Sequence, residues 1–407
     1  MPSLRFPTVA AVLRRPFAAA LLCAACASAP PPPHEAPIFF PGPPALPRVQ
    51  FLASFNGRSD IETQSKFDRF VVGEQPDLRL EKPYGVAMFD GRIYVCDSNV
   101  TVVVFDLQAN RFGALKGAVG PGKLIQPLNI SIEPDGTKYV ADPERGQVVV
   151  FNRADEYVRA FGVPGQWRPV DAVPFEGRLY VVDTAKRRIQ VLDKETGEPV
   201  KAIGDSGEPG DQLVRPTNIV FDATGTLYVT DAGRFQVVKY DRDGHFKGTV
   251  GKLGDNLGHF ARPKGAAVDR EGHLLVVDAA FNNVQMFNRE GRLLMFFGGA
   301  SEQSAPGSLT LPAKVSLDFD NLKYFRDRVA PGFEPEFLIL VTSQFGSRLV
   351  NVFAYGHEKG RHYPTEAEIQ KEIEARRKRE SPVTPEAPPA PTPTPPATGA
   401  APPPPTD

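Results

Sequence analysis

Cysteine is scarce in this chain, with only three among 407 residues, at positions 23, 26 and 96. The first two sit close together at the N-terminus, so Cys96 is left without a disulfide partner and a disulfide-framed fold is excluded. No CxxCH is present, since the one C-x-x-C pair, Cys23 and Cys26, is followed by Ala27 and not His, so the chain is expected to carry no haem itself. Charge of one sign is also missing: 47 basic and 48 acidic residues give a formal net charge of -1. That balance lacks the excess of positive charge needed to neutralise a phosphate backbone, so nucleic acid is excluded as a partner. Long apolar runs are absent too, and the longest, "FAAALLCAAC" from Phe17, is too short to span a bilayer. The glycine-rich stretches "GDSGEPGDQLVRP", "GKLGDNLGHFARP" and "GGASEQSAPGSLTLP" are not followed by Lys-Ser/Thr and a helix, so they make no phosphate cradle and are expected to be loops.

Proline, by contrast, is abundant and unevenly placed. Of the 42 prolines, half lie in two short segments, from Pro30 to Pro47 and from Pro382 to Pro405. These cannot pair as sheet and are expected to be a tether (27–47) and a disordered tail (381–407). Ahead of the tether, Arg5, Arg14 and Arg15 followed by the short apolar run have the order of an export signal. The stop at Cys26, after Ala24 and Ala25, is similar to a bacterial lipoprotein cleavage box. That resemblance implies lipid on Cys26 after processing of residues 1–26, and Ala27 in place of an Asp implies the outer membrane. Ordinary cleavage near Ala27 or Ala29, giving a soluble periplasmic product, is the alternative. Between the ends, "PTEAEIQKEIEARRKRE" offers Thr365 as the N-cap of a short exposed helix within a linker spanning 357–380.

The middle of the chain repeats itself. "GRIYVCDSNVTVVVFD" from Gly91, "GTKYVADPERGQVVVFNRAD" from Gly136, "GRLYVVDTAKRRIQVLDKETG" from Gly177, "GTLYVTDAGRFQVVKYDRDG" from Gly225 and "GHLLVVDAAFNNVQMFNREG" from Gly272 are versions of one text. Each unit begins with a proline opening an apolar strand, at Pro83, Pro127, Pro169, Pro216, Pro263 and Pro312. The mean interval of about 46 residues is that of a four-stranded propeller blade. Period-two alternation within each unit predicts strands rather than helices. The reading is all-β: a six-bladed β-propeller over 48–356. The sixth unit lacks a fourth strand, and "RVQFLASFNG" at 48–57 has the pattern of one, so it is expected to pair beside Arg348 to Tyr355 and close the ring.

These units resemble NHL repeats, whose loose pattern runs "P.GIAVD..G.IYVAD..N.RIQVF...G". The last unit is similar to NHL-repeat lipoproteins encoded beside multihaem c-type cytochromes in bacteria, which implies an envelope protein supporting assembly or docking of such cytochromes. Five units keep the Asp of the "VAD" step, as Asp97, Asp142, Asp183, Asp231 and Asp278, while Ser343 replaces it in the sixth. A ring keeps these carboxylates far apart, so they are expected to cap the turns after their strands. Cys96, mid-strand, is expected to be a buried thiol. The six histidines hold no equivalent positions: His34 in the tether, His245 and His259 placed between units four and five, His273 in a turn, His357 and His362 after the last unit. No metal site, cofactor or catalytic set is expected from them.

Two regions remain for function. The second residues after the opening prolines should line the central channel: Gly85, Asn129, Asp171, Asn218, Gly265 and Lys314. Of these Asn129, Asp171, Asn218 and Lys314 are candidate ligand groups, against the alternative of a merely solvated polar rim. The sixth unit also carries an insertion, "NLKYFRDRVAPGFEPE" at 321–336, in which Tyr324, Phe325, Arg326 and Phe333 are candidate partner contacts; a self-packed loop is the alternative. The reading that results is a binding platform, with a lactonase-like or lyase-like channel enzyme acting around Asp171 as the alternative.

Overall fold

The computed structural model describes residues 36–63, 77–208, 210–301, 305–365, 368–369 and 371–375. Contacts divide the chain into two units, Met1–Pro37 and Ile38–Asp407, and every strand belongs to the second. The export signal, Cys26, residues 27–35 of the tether and the C-terminal tail lie outside the described residues.

Six antiparallel sheets follow one another, and in the first five the strands run in chain order from the channel outward. The first strands are Pro83–Phe89, Asn129–Ile132, Pro169–Phe175, Pro216–Phe221, Pro263–Val268 and Pro312–Asp318. Their order makes a six-bladed β-propeller. The apolar residues of adjacent blades face each other, and the core accordingly splits into six clusters, one for each blade interface. Cys96 lies in the cluster between blades 1 and 2, wholly buried, and burial pushes its thiol pKa well up, so it packs as a small apolar group.

Closure is made as the pattern required. Val49–Phe55 pairs antiparallel with Val350–Glu358, in a register running from Val49 opposite Tyr355 to Phe55 opposite Val350. The sixth blade then goes one strand further: Phe39–Phe40, inside the stretch expected to be tether, pairs with Val49 and Gln50. Phe40 packs against Phe297 and Phe353, and Phe39 against Phe333. These two aromatic side chains outweigh the local proline content. At the other end the third strand of blade 6 runs to Glu358, two residues past the expected boundary. Thr365 does cap the C-terminal helix, its Oγ1 accepting from the Glu368 amide while the Glu368 carboxylate accepts from the Thr365 amide.

Chain direction assigns every loop to a face. Links between blades and turns between second and third strands share one face, here the linker face. Turns between first and second and between third and fourth strands share the other.

Candidate functional site

Each first strand except that of blade 2 shows a register shift just after its opening proline, for example between Pro169 and Asp171 and between Pro216 and Asn218. Proline has no N–H to give the ladder, and the resulting bulge turns the next residues toward the channel. The expected lining residues therefore do converge, but as a bonded ring and not as a solvated rim. Asn129, Asp171 and Asn218 are each about 1% exposed and Lys314 is 7% exposed. Asn129 Nδ2 donates to the Val170 carbonyl of the next blade at 2.8 Å. Asp171 accepts from the Ile219 amide at 3.0 Å and from Asn218 Nδ2, and Asn218 Oδ1 accepts from the Ala266 amide at 2.7 Å. Polar side chains thus stitch blades 2 to 5 together around the axis. Blades 1 and 5 use glycine instead: a Cβ on Gly85 would lie 2.7 Å from Asn129 Cα, and one on Gly265 2.7 Å from Lys314 Cα. Lys314 reaches across from blade 6 to blade 3, which lie opposite in the ring, and places Nζ 3.6 Å from Asp171 Oδ2. This ion pair bars the channel at its waist. Asn129 Oδ1 is the one oxygen of the set that is buried without a protein partner.

One residue nearer the linker face the lining changes character. Lys264 is 9% exposed; its Nζ donates to Gln344 Oε1 at 2.6 Å and stands 5.2 Å from the centre of the Tyr84 ring. Burial, and then the nearby charges of Arg262 and Lys82, bring the Lys264 ammonium down to about 8. Burial, reinforced by Asp171, pushes the Tyr84 hydroxyl up to about 12, against the pull of Arg262 and Arg215. These cations sit immediately before opening prolines: Lys82, Arg168, Arg215 and Arg262 in blades 1, 3, 4 and 5. The signal was present in the sequence as a recurring Lys-Pro or Arg-Pro step, hidden by the near-zero net charge.

The repeated aspartates fix where those cations start. Asp231, wholly buried, accepts from the amides of Val214 at 2.7 Å and Arg215 at 2.8 Å, and from Gly233 at 2.9 Å in the turn it precedes. Asp97, Asp142, Asp183 and Asp278 bind the equivalent loop and turn amides. Each carboxylate caps its turn and also clamps the incoming linker. In blade 6 the Ser343 hydroxyl keeps one of these bonds, accepting from the Thr310 amide at 3.1 Å.

The insertion of blade 6 packs on itself. Leu322–Arg328 forms a 3-10 helix. Phe325 is 1% and Phe333 5% exposed, both in the core between blades 6 and 1, so neither is available to a partner. Gln50 of the closing strand binds the Arg328 carbonyl and the Ala330 amide, and Asn321 accepts from the Gly91 amide of blade 1. Tyr324 is half-buried beside Gly91 and bonds Gln108; Arg326 is exposed. The apolar side chains point inward because they seal the last blade against the first.

His245 belongs to the third turn of blade 4, not to a link between blades. It joins Asp241 and Asp243 as a group of three possible metal ligands. The Asp241 carboxylate there accepts from the Asp243 and His245 amides, as a turn aspartate does, and the group is remote from the channel.

Exposed large apolar side chains also sort by face. Val119, Ile125, Val214, Leu253, Leu257 and Phe345 are 49 to 67% exposed and all lie in linkers or second turns, on the linker face. Others lie on fourth strands, at the rim. Among the described residues none lies in a turn of the opposite face.

No protein-family model matches the chain. A structural genomics protein of unknown function from Bacteroides thetaiotaomicron superposes with a TM-score of 0.53 at 14% identity, over 75% of each chain, a likeness of fold alone. A streptogramin B lyase aligns over 79% of this chain and 90% of its own at 12% identity, with a TM-score of 0.49. A gluconolactonase from Xanthomonas campestris does so over 76% and 98% at 14% identity, also at 0.49. Among the described residues no helix is long and apolar enough to cross a membrane.

Proposed function

We propose that this chain is an NHL-type propeller acting as a protein-interaction platform at the cell envelope, held to the outer membrane by lipid on Cys26, with envelope proteins, multihaem c-type cytochromes among them, as its partners. The observation that carries the reading is the collection of exposed Ile, Leu, Val and Phe side chains on the linker face, interleaved with Arg215 and Arg262. Single exposed apolar residues are ordinary, but their gathering on one face, with arginine between, is the composition of an interface. A hydrolytic channel would need Asp171 free for a substrate or an ion. Its carboxylate is instead occupied by Asn218, the Ile219 amide and Lys314.

The docking surface is therefore the linker face and not the insertion. Pull-down from detergent-solubilised membranes of the native organism compares the intact chain with an Ile125→Ser, Leu253→Ser, Leu257→Ser variant and, as a control on the opposite face, Arg326→Ala. Capture of a defined envelope protein by the intact chain and the control, and not by the triple variant, is expected. Equal capture by all three would sink the assignment of the face. Release of a Cys26→Ser chain from the membrane fraction tests the anchor.

A further inference from the structure

We infer that the linker-face mouth of the channel is a binding site for a small anion bearing a phosphate or clustered carboxylates, seated on Lys264 and Tyr84 and collared by Lys82, Arg215 and Arg262. The inference goes beyond the platform reading and stands whether or not that reading does.

A buried ammonium normally takes a carboxylate partner, because an uncompensated buried charge is costly. Lys264 has none: its polar contact is the neutral Gln344, and the charged groups acting on it most strongly are cations, Arg262 and Lys82. Among the described residues Lys82, Arg215 and Arg262 form no ion pair, whereas Arg168, the fourth cation of the collar, is paired with Glu144 at 3.2 Å. The Tyr84 hydroxyl, a donor with its proton held firmly, makes no hydrogen bond among the described residues either. Four cations and a phenol thus gather at one mouth of the channel, and the carboxylate nearest to them, Asp171, is already taken up by Asn218, the Ile219 amide and Lys314.

The collar is also fixed in place. The backbone amides of Lys82, Arg215 and Arg262 are clamped by Asp97, Asp231 and Asp278, and the following proline sets the chain direction. Guanidinium groups rooted at these fixed backbone positions match phosphate and carboxylate oxygens in pairs. The floor limits the ligand. Asp171 lies one residue deeper, about 3 Å along the strand, and with Lys314 and Asn218 it closes the way down. The ligand this floor calls for is a compact anion and not an extended chain.

The test is titration calorimetry of the full chain with inorganic phosphate and, separately, with citrate, at low ionic strength and with chloride as the control ion. Saturable binding of one equivalent of either probe is expected, weakened at least about tenfold by the Arg215→Gln, Arg262→Gln variant and lost on Lys264→Met. The two probes distinguish the sources: preference for phosphate points to a phosphorylated ligand, preference for citrate to a polycarboxylate. The two arginines are exposed, so their replacement leaves the core intact and keeps the test decisive if Lys264→Met fails to fold. No saturable binding of either probe, or binding indifferent to the arginine pair, overturns the inference. Neither outcome bears on capture by the apolar residues of the same face.

Discussion

Replacing Asp231 by alanine isolates what a repeated carboxylate does. In the folded chain this side chain is wholly buried and accepts from four amides, those of Val214, Arg215, Gly233 and Arg234, at 2.7 to 3.3 Å. Alanine leaves three of these donors, the Val214, Arg215 and Gly233 amides, without a protein acceptor, while the Arg234 amide keeps the backbone carbonyl of residue 231. A hydrogen bond to a charged group contributes about 1.5–3 kcal/mol, and an orphaned buried donor costs about 1–3 kcal/mol. The turn is close to the surface, so water recovers part of this, and the expected loss is about 3–4 kcal/mol. For a sheet ring of this size that is a fall in Tm of roughly 5 °C. Thermal unfolding followed by circular dichroism measures it. Hydrogen exchange locates it, with the Val214 and Arg215 amides losing protection before the rest of blade 4. Asp231→Ser, which installs the blade 6 solution, should fall between, because Ser343 retains a single such bond. A Tm within about 1 °C of the parent for Asp231→Ala, with unchanged exchange at Val214, would refute the clamp.

Gly85→Ala should destabilise by about 3 kcal/mol or more, since the new methyl meets the backbone of Leu128 and Asn129 at 2.7 Å, whereas Gly113→Ala, with open space around it, should be neutral or slightly stabilising; paired melting curves decide. Lys264 gives a pH signature. Its folded value of about 8 lies below its ordinary 10.5, so between those limits the unfolded chain holds a proton that the folded chain has released, and this group makes stability rise with pH. Below about pH 8 the ammonium is charged in both states and the cost of burying it is fully present. Lys264→Met should therefore flatten the gain in Tm between about pH 7.5 and 9.5, and an unchanged slope would contradict the assignment. Deleting residues 48–57 strips Leu52, Ala53 and Phe55 from the seam between blades 6 and 1 and bares the Val350–Glu358 edge. Loss of the cooperative β-sheet transition is expected, and its survival would show that the ring closes without that strand.

Repetition made the architecture legible. A unit of about 46 residues with one turn signal and one strand pattern has a single way to bury its apolar face, which is against the next copy. The count of blades, their strand order, the closing strand and the capping role of the aspartates all follow from local periodicity and from the need to leave no open edge. Position along the chain was enough to send Asn129, Asp171, Asn218 and Lys314 to the axis. What each does there depends on distances between residues some 40 to 140 positions apart, which no local pattern carries. Only the closed ring puts Lys314 opposite Asp171 and turns a supposed solvated rim into a barred waist. The same holds for Phe325 and Phe333: their residue types suit an interface, and the seam they fill exists only once the last blade meets the first. A net charge of -1 conceals a collar of cations because charge is summed along the chain and felt in space, and it was the tertiary fold that gathered Lys82, Arg215, Arg262 and Lys264 at one mouth.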